Sequence, residues 1–210
     1  MELQHVNVKL LVKNPEEIDF ESLIPVFHSW IQDQSGGELL LDVADYRHVP
    51  AGPGVLLIGH EANYSLDNTG DRWGVRYNRK AALTGTNQDR LTQAMQAALG
   101  ACQRLEADPR LNGTIRFGGR EIEVFINDRL LAPNTDETRH AADPELRTFF
   151  SRLLGSSEFD LAYRNDPRSL FAVSVTTPQP FSTIELLNNL RSLASAPHTS
   201  EQPGGSFHPR

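Results

Sequence analysis

Residues 39–80 read LLLDVADYRHVPAGPGVLLIGHEANYSLDNTGDRWGVRYNRK, and the spacing of the apolar runs in this stretch decides the fold. Residues 39–43 and 55–58 are short, nearly continuous apolar runs, the composition of strands covered on both faces, and they predict two central strands. The segment between them holds Pro50, Gly52, Pro53 and Gly54, too rich in Pro and Gly for regular structure, so residues 44–54 are expected to form a shaped loop. Residues 62–67 and 72–78 flank Asn68-Thr69-Gly70-Asp71, the turn chemistry of an antiparallel hairpin.

On the N-terminal side, Val6, Val8, Leu10 and Val12 alternate with Asn7 and Lys9, the period of a half-buried strand. Phe20, Leu23, Ile24, Phe27 and Ile31 then recur at helical spacing. Pro25 is tolerated only in a helix's first turn, which predicts a start near Ser22 and an end near Ser35-Gly36-Gly37.

On the C-terminal side, Thr86 and Asp89 form a capping box, and Leu91, Met95, Leu99, Cys102 and Leu105 mark a long helix reaching Ala107. Residues 114–117 and 120–126 read as a second hairpin around Gly118-Gly119, and 127–142 as an aperiodic loop. Asp143 and Pro144 carry the signature of a helix start before the apolar face Leu146, Phe149, Phe150, Leu153 and Leu154, which Gly155 closes. Two strands at 159–163 and 170–175 and a helix capped by Ser182 and Glu185 follow. Residues 195–210, mostly Ser, Pro, Gly and His, are expected to be a disordered tail.

These elements predict an α+β fold, a mixed, mostly antiparallel sheet with about four helices packed on it. Residues 1–110 form a first half and 111–194 a second, smaller one, within one domain or two. The order strand, helix, strand, loop, strand, helix runs over roughly 5–107 and again over 121–194, as two related βαββα units would; chance recurrence of common elements is the simpler account.

With 210 residues, 39% of them hydrophobic, the chain can bury a full core. A formal net charge of −7 argues against nucleic-acid partners, which clustered Lys and Arg attract. No run is long enough to cross a bilayer, and MELQHVNVKL is not a signal core, so a cytoplasmic protein without a membrane partner is expected. The single Cys102 excludes an internal disulfide and multi-cysteine metal sites, and its place on an apolar helix face marks a buried thiol.

Three groups of residues could carry chemistry. Asp42, Asp45, His48, His60 and Glu61 combine carboxylates and imidazoles, the donor set of a divalent metal or an acid–base pair. An antiparallel pairing of the flanking strands would separate His48 from His60. The loop Val49-Pro50-Ala51-Gly52-Pro53-Gly54 has glycines that could turn amides toward an anion, but two prolines that carry no N–H. Arg72, Arg76 and Lys80 share one strand face by period two, a positive stripe suited to a carboxylate or phosphate. No motif dictates a reaction, and no cofactor is called for. The sequence therefore reads first as a non-catalytic binding or assembly module that meets a second copy, a protein partner or a small anionic ligand through Arg72, Arg76 and Lys80. A hydrolase or lyase built on Asp45, His48, His60 and Glu61, with a divalent metal or with His48 as general base, is the alternative.

Overall fold

The computed structural model describes residues 1–34 and 37–194. The tail predicted at 195–210 lies outside them. In chain order the elements are β1 (Val6–Val12), α1 (Phe20–Asp33), β2 (Leu40–Tyr46), β3 (Gly54–Gly59), β4 (Ala62–Asp67), β5 (Gly74–Arg79), α2 (Asn87–Ala107), β6 (Phe117–Ile126), α3 (Asp136–Leu154), β7 (Asp160–Tyr163), β8 (Phe171–Phe181) and α4 (Thr183–Ala194). The strands form one sheet in the order β2-β3-β4-β5-β1-β6-β8-β7, so the two halves of the chain meet where β1 pairs with β6. The fold is α+β as expected. All pairings between these strands are antiparallel, and the parallel component of a mixed sheet is absent among the described residues.

Register separates the two faces of the sheet. Val43, Leu57, Tyr64, Tyr77, Val8, Val124, Val173 and Tyr163 stand side by side across all eight strands. Against this row the helices bury their apolar stripes in one cluster, Leu23, Phe27 and Trp30 from α1, Leu91 and Leu99 from α2, Phe149 and Phe150 from α3, and Leu186 and Leu190 from α4. One residue on, the row is Ala44, Leu56, Ser65, Arg76, Lys9, Glu123, Ser174 and Ala162, polar and charged at its centre. The period of two thus puts the helices on one side and an ionic network on the other.

Several expectations change. β2 is the sheet's edge, not a central strand, and leaves Leu39 and Leu41 more than half exposed. Its ladder is broken by a register shift between Leu40 and Asp42, a common device for blunting an edge. α1 starts at Phe20, because Asp19 accepts hydrogen bonds from the amides of Glu21 and Ser22, and Pro25 lies inside the helix. Residues 117–126 are one strand: Gly118 and Gly119 have positive φ, but they sit in a ladder that shifts between Gly119 and Glu121 and is not a turn. α3 begins two turns before Pro144, capped by Thr135, and Asp143 instead pairs with Arg147 at 2.7 Å and accepts the Tyr163 hydroxyl at 2.9 Å. The first half has four strands after α1 and the second two after α3; β8 borders β6 as β5, rather than β3, borders β1.

Candidate ligand-binding cavity

Helix α1 covers β2 and β3, and α2 covers β1 and β5. Over β4 a cavity of about 680 Å³ opens between them, within the range that holds small-molecule ligands. Its floor is Tyr64 of β4 and Arg79 of β5, one wall is Trp30, Glu38 and Leu40, and the opposite wall is the side of α2 from Gln93 to Ala107. The space exists because α2 presents Ala97, Gly100 and Ala101 there, where larger side chains would reach the floor. A Cβ built on Gly100 meets no atom within 4 Å.

The floor is rigid. Phe27, Trp30, Tyr64 and Tyr77 form a continuous run of rings, with neighbouring centroids 5.3, 6.4 and 5.2 Å apart. Glu38 joins its far end, accepting hydrogen bonds from the hydroxyls of Tyr64 at 2.9 Å and Tyr77 at 3.1 Å, and Gln93 donates to the Tyr77 oxygen at 2.8 Å. Burial, with the Glu38 charge adding to it, pushes the Tyr64 hydroxyl far above its ordinary range; burial pushes Tyr77 up to about 12. Both phenols therefore stay protonated and keep donating to Glu38. Arg79 pairs with Glu61 at 2.9 Å and donates through Nε to the Ala81 carbonyl. At the Trp30 end, the Arg104 guanidinium lies 3.9 Å from the indole centroid, a cation–π stack, and burial lowers its pKa. The arrangement sets hydrogen-bond donors and acceptors around an aromatic floor.

The residues singled out in the sequence are distributed elsewhere, with one exception. The β2–β3 ladder pairs Asp45 with Val55 and Leu40 with Gly59. Asp45 and His48 thus lie at one end of that hairpin and His60 and Glu61 at the other, roughly 20 Å away by strand rise. Among the described residues no group of three or more His, Cys, Asp and Glu is placed to hold a metal ion. Glu61 is the exception, because its pair with Arg79 lines the cavity. Arg72 and Arg76 do share a face, the one opposite the cavity. There Arg72 pairs with Glu121 at 2.8 Å, and Arg76 stacks on Phe125 at 4.4 Å with Asp67 3.9 Å away. Lys80 lies just past β5 and donates to the Gly59 carbonyl. The stripe is engaged by the protein's own carboxylates, carbonyl and ring.

Asp45 is engaged too. Arg47 grips it through Nε and Nη2 and through its backbone amide, and the side-chain hydrogen bond, then the amide, pull the Asp45 carboxyl from its ordinary 3.8 to about 2. A carboxyl held that low is a weak base at neutral pH. Its folded value lies below its unfolded one, so the pair favours folding above about 3.8 and that contribution is lost as pH falls through about 2. Titration of the Asp45 carboxyl carbon by NMR is expected to show a midpoint near 2, returning to the ordinary value in Arg47→Ala; an ordinary midpoint in the wild type contradicts the pairing.

Trp30, Glu38, Tyr64, Gln93 and Arg104 were not among the sequence candidates. The one local signal for them is Gly100, a glycine in the middle of the strongly patterned α2. No protein-family model matches the chain, and comparison with curated proteins finds no relative.

Proposed function

We propose that this chain is a non-catalytic binding protein that takes a small molecule into the cavity between α1 and α2. The observation that carries this reading is Gly100. A glycine inside a helix costs about 0.5–1 kcal/mol relative to alanine. No neighbouring atom requires it, since a Cβ there meets nothing within 4 Å. Its lack of a side chain leaves the α2 backbone open to an occupant lying between Trp30 and Arg104. The rings of Trp30 and Tyr64 supply apolar contact, and the anchored Glu38, Gln93 and Arg79 fix the shape of the site before anything enters. A site formed in advance adds affinity because little has to be ordered on binding.

Two substitutions test this. Gly100→Ala is expected to raise the stability of the isolated protein by about 0.5–1 kcal/mol, because it removes the helix penalty without a clash. Gly100→Phe places a ring in the cavity. Wild-type protein incubated with a cell metabolite extract and recovered by size exclusion is expected to retain a small molecule detectable by mass spectrometry, and Gly100→Phe to lose it while keeping the wild-type circular dichroism. Retention of nothing by the wild type, or of the same molecule by both proteins, contradicts the reading.

A further inference from the structure

We infer that the occupant is an anion with an apolar, ring-bearing body, its acid group held by Arg104 and its body lying along Trp30 and the Ala97–Ala101 side of α2. The inference rests on the cavity being a ligand site and adds the chemistry of the ligand. It follows from which polar groups around the cavity are already engaged.

Both acidic groups are. Glu38 accepts the hydroxyls of Tyr64 and Tyr77, and Glu61 pairs with Arg79 at 2.9 Å. Of the two arginines, Arg79 is engaged by Glu61 and by the Ala81 carbonyl. Arg104 is different. Among the described residues it has no carboxylate within 4.0 Å, and its guanidinium stacks on the face of Trp30. Asp33 and Asp108 act on it only through space, and Asp108 is itself held by Arg110 at 2.6 Å.

Stacking uses the flat face of a guanidinium and leaves its in-plane N–H donors aimed outward, the geometry that binds a carboxylate, sulfonate or phosphate through two parallel hydrogen bonds. Trp30 fixes that plane beside the cavity. A neutral ligand would leave those donors unmet as the cavity filled and water left, whereas an acid group meets them. Gln93 lies eleven residues before Arg104 on α2, roughly 16 Å by helical rise, which leaves length for a ring system between the acid group and the Glu38 end.

The probes are anilinonaphthalene sulfonate, an aromatic anion, and phenylnaphthylamine, its uncharged counterpart, titrated by fluorescence into wild type, Arg104→Gln, Arg104→Lys and Gly100→Phe. A charge-assisted contact is expected to make the wild type bind the sulfonate roughly 10- to 100-fold more tightly than the neutral probe. Arg104→Gln should erase that preference while leaving the neutral probe's affinity within about twofold, Arg104→Lys should keep part of it, and Gly100→Phe should weaken both probes. Thermal melts show that each variant is folded, and Arg104→Lys carries the test if Arg104→Gln does not fold. Equal affinity for the two probes, unchanged in the Arg104 variants but lost in Gly100→Phe, overturns the anion and keeps the cavity. Binding that Gly100→Phe leaves intact, or no binding by the wild type, overturns the cavity itself.

Discussion

Replacing Asp67 by alanine is expected to cost about 3–5 kcal/mol, the range for removing one partner of a buried ion pair. In a chain of this size that is a fall in melting temperature of roughly 6–20 °C. Lys9 is fully buried on the central strand β1, and its ammonium has two partners, the Asp67 carboxylate at 2.6 Å and the Thr69 carbonyl at 3.0 Å. Gly74 leaves room for the lysine stem, since a Cβ there would meet Lys9 Cε at 3.0 Å. Without Asp67 the charge stays buried beside Arg76. Replacing both partners, as Lys9→Met with Asp67→Leu, should recover most of the loss, because well-packed apolar residues can substitute for a buried pair.

The pH dependence has a definite sign. Burial lowers the Lys9 pKa, and Asp67 is the main group opposing that. A lysine whose folded pKa lies below its unfolded one lets stability rise with pH between the two values. Asp67→Ala widens that window downward, so its deficit against the wild type should shrink as pH rises toward 10.5. A loss below about 1 kcal/mol, with no such trend, would mean that Lys9 reaches solvent.

Gly54→Ala is expected to cost about 3 kcal/mol. Left-handed backbone, here φ +63°, costs a residue with a Cβ about 1–2 kcal/mol. The added atom would lie 2.1 Å from the Leu66 carbonyl oxygen and 2.9 Å from the Trp73 ring. β4 must then shift where Val55 pairs with Leu66, giving up strand hydrogen bonding worth about 1 kcal/mol. Gly52→Ala would press on the Val49 side chain and carbonyl within the loop and leave the strands in place. Thermal unfolding that ranks Gly54→Ala level with wild type would contradict the close approach of β3 to β4.

These two positions show what could be read from the sequence. Gly54 was visible as one of a Pro- and Gly-rich set, but which glycine carries the constraint depends on the Leu66 carbonyl across the sheet. Lys9, by its period of two, sits on the polar face of β1, yet β5 and β6 flank that face with Arg76 and Glu123, and the charge ends up buried. The capping box of Thr86 and Asp89 was legible because it is local, and it starts α2 as read. The triple leucine at 39–41 misled because apolar composition marks a strand without saying whether a neighbour covers its outer edge. Gly118-Gly119 resembled a turn because positive φ serves strand irregularities as well as hairpins. The cavity was hidden for a related reason. Trp30, Glu38, Tyr64 and the α2 pair Gly100 and Arg104 come from four separate stretches of the chain, and only the register of β4 with β5 and the seating of α1 and α2 bring them together.

The most direct test of the account is a nitrogen-15 NMR titration of the full chain with anilinonaphthalene sulfonate. The account predicts shifts concentrated at the Gly100 amide, the Trp30 indole N–H, the Gln93 side-chain amide and the Arg104 Nε–H. Shifts confined to the opposite face, at Phe125, Ser174 and the Arg76 Nε–H, with Gly100 and Trp30 unmoved, would contradict it and return the binding surface to the arginine face.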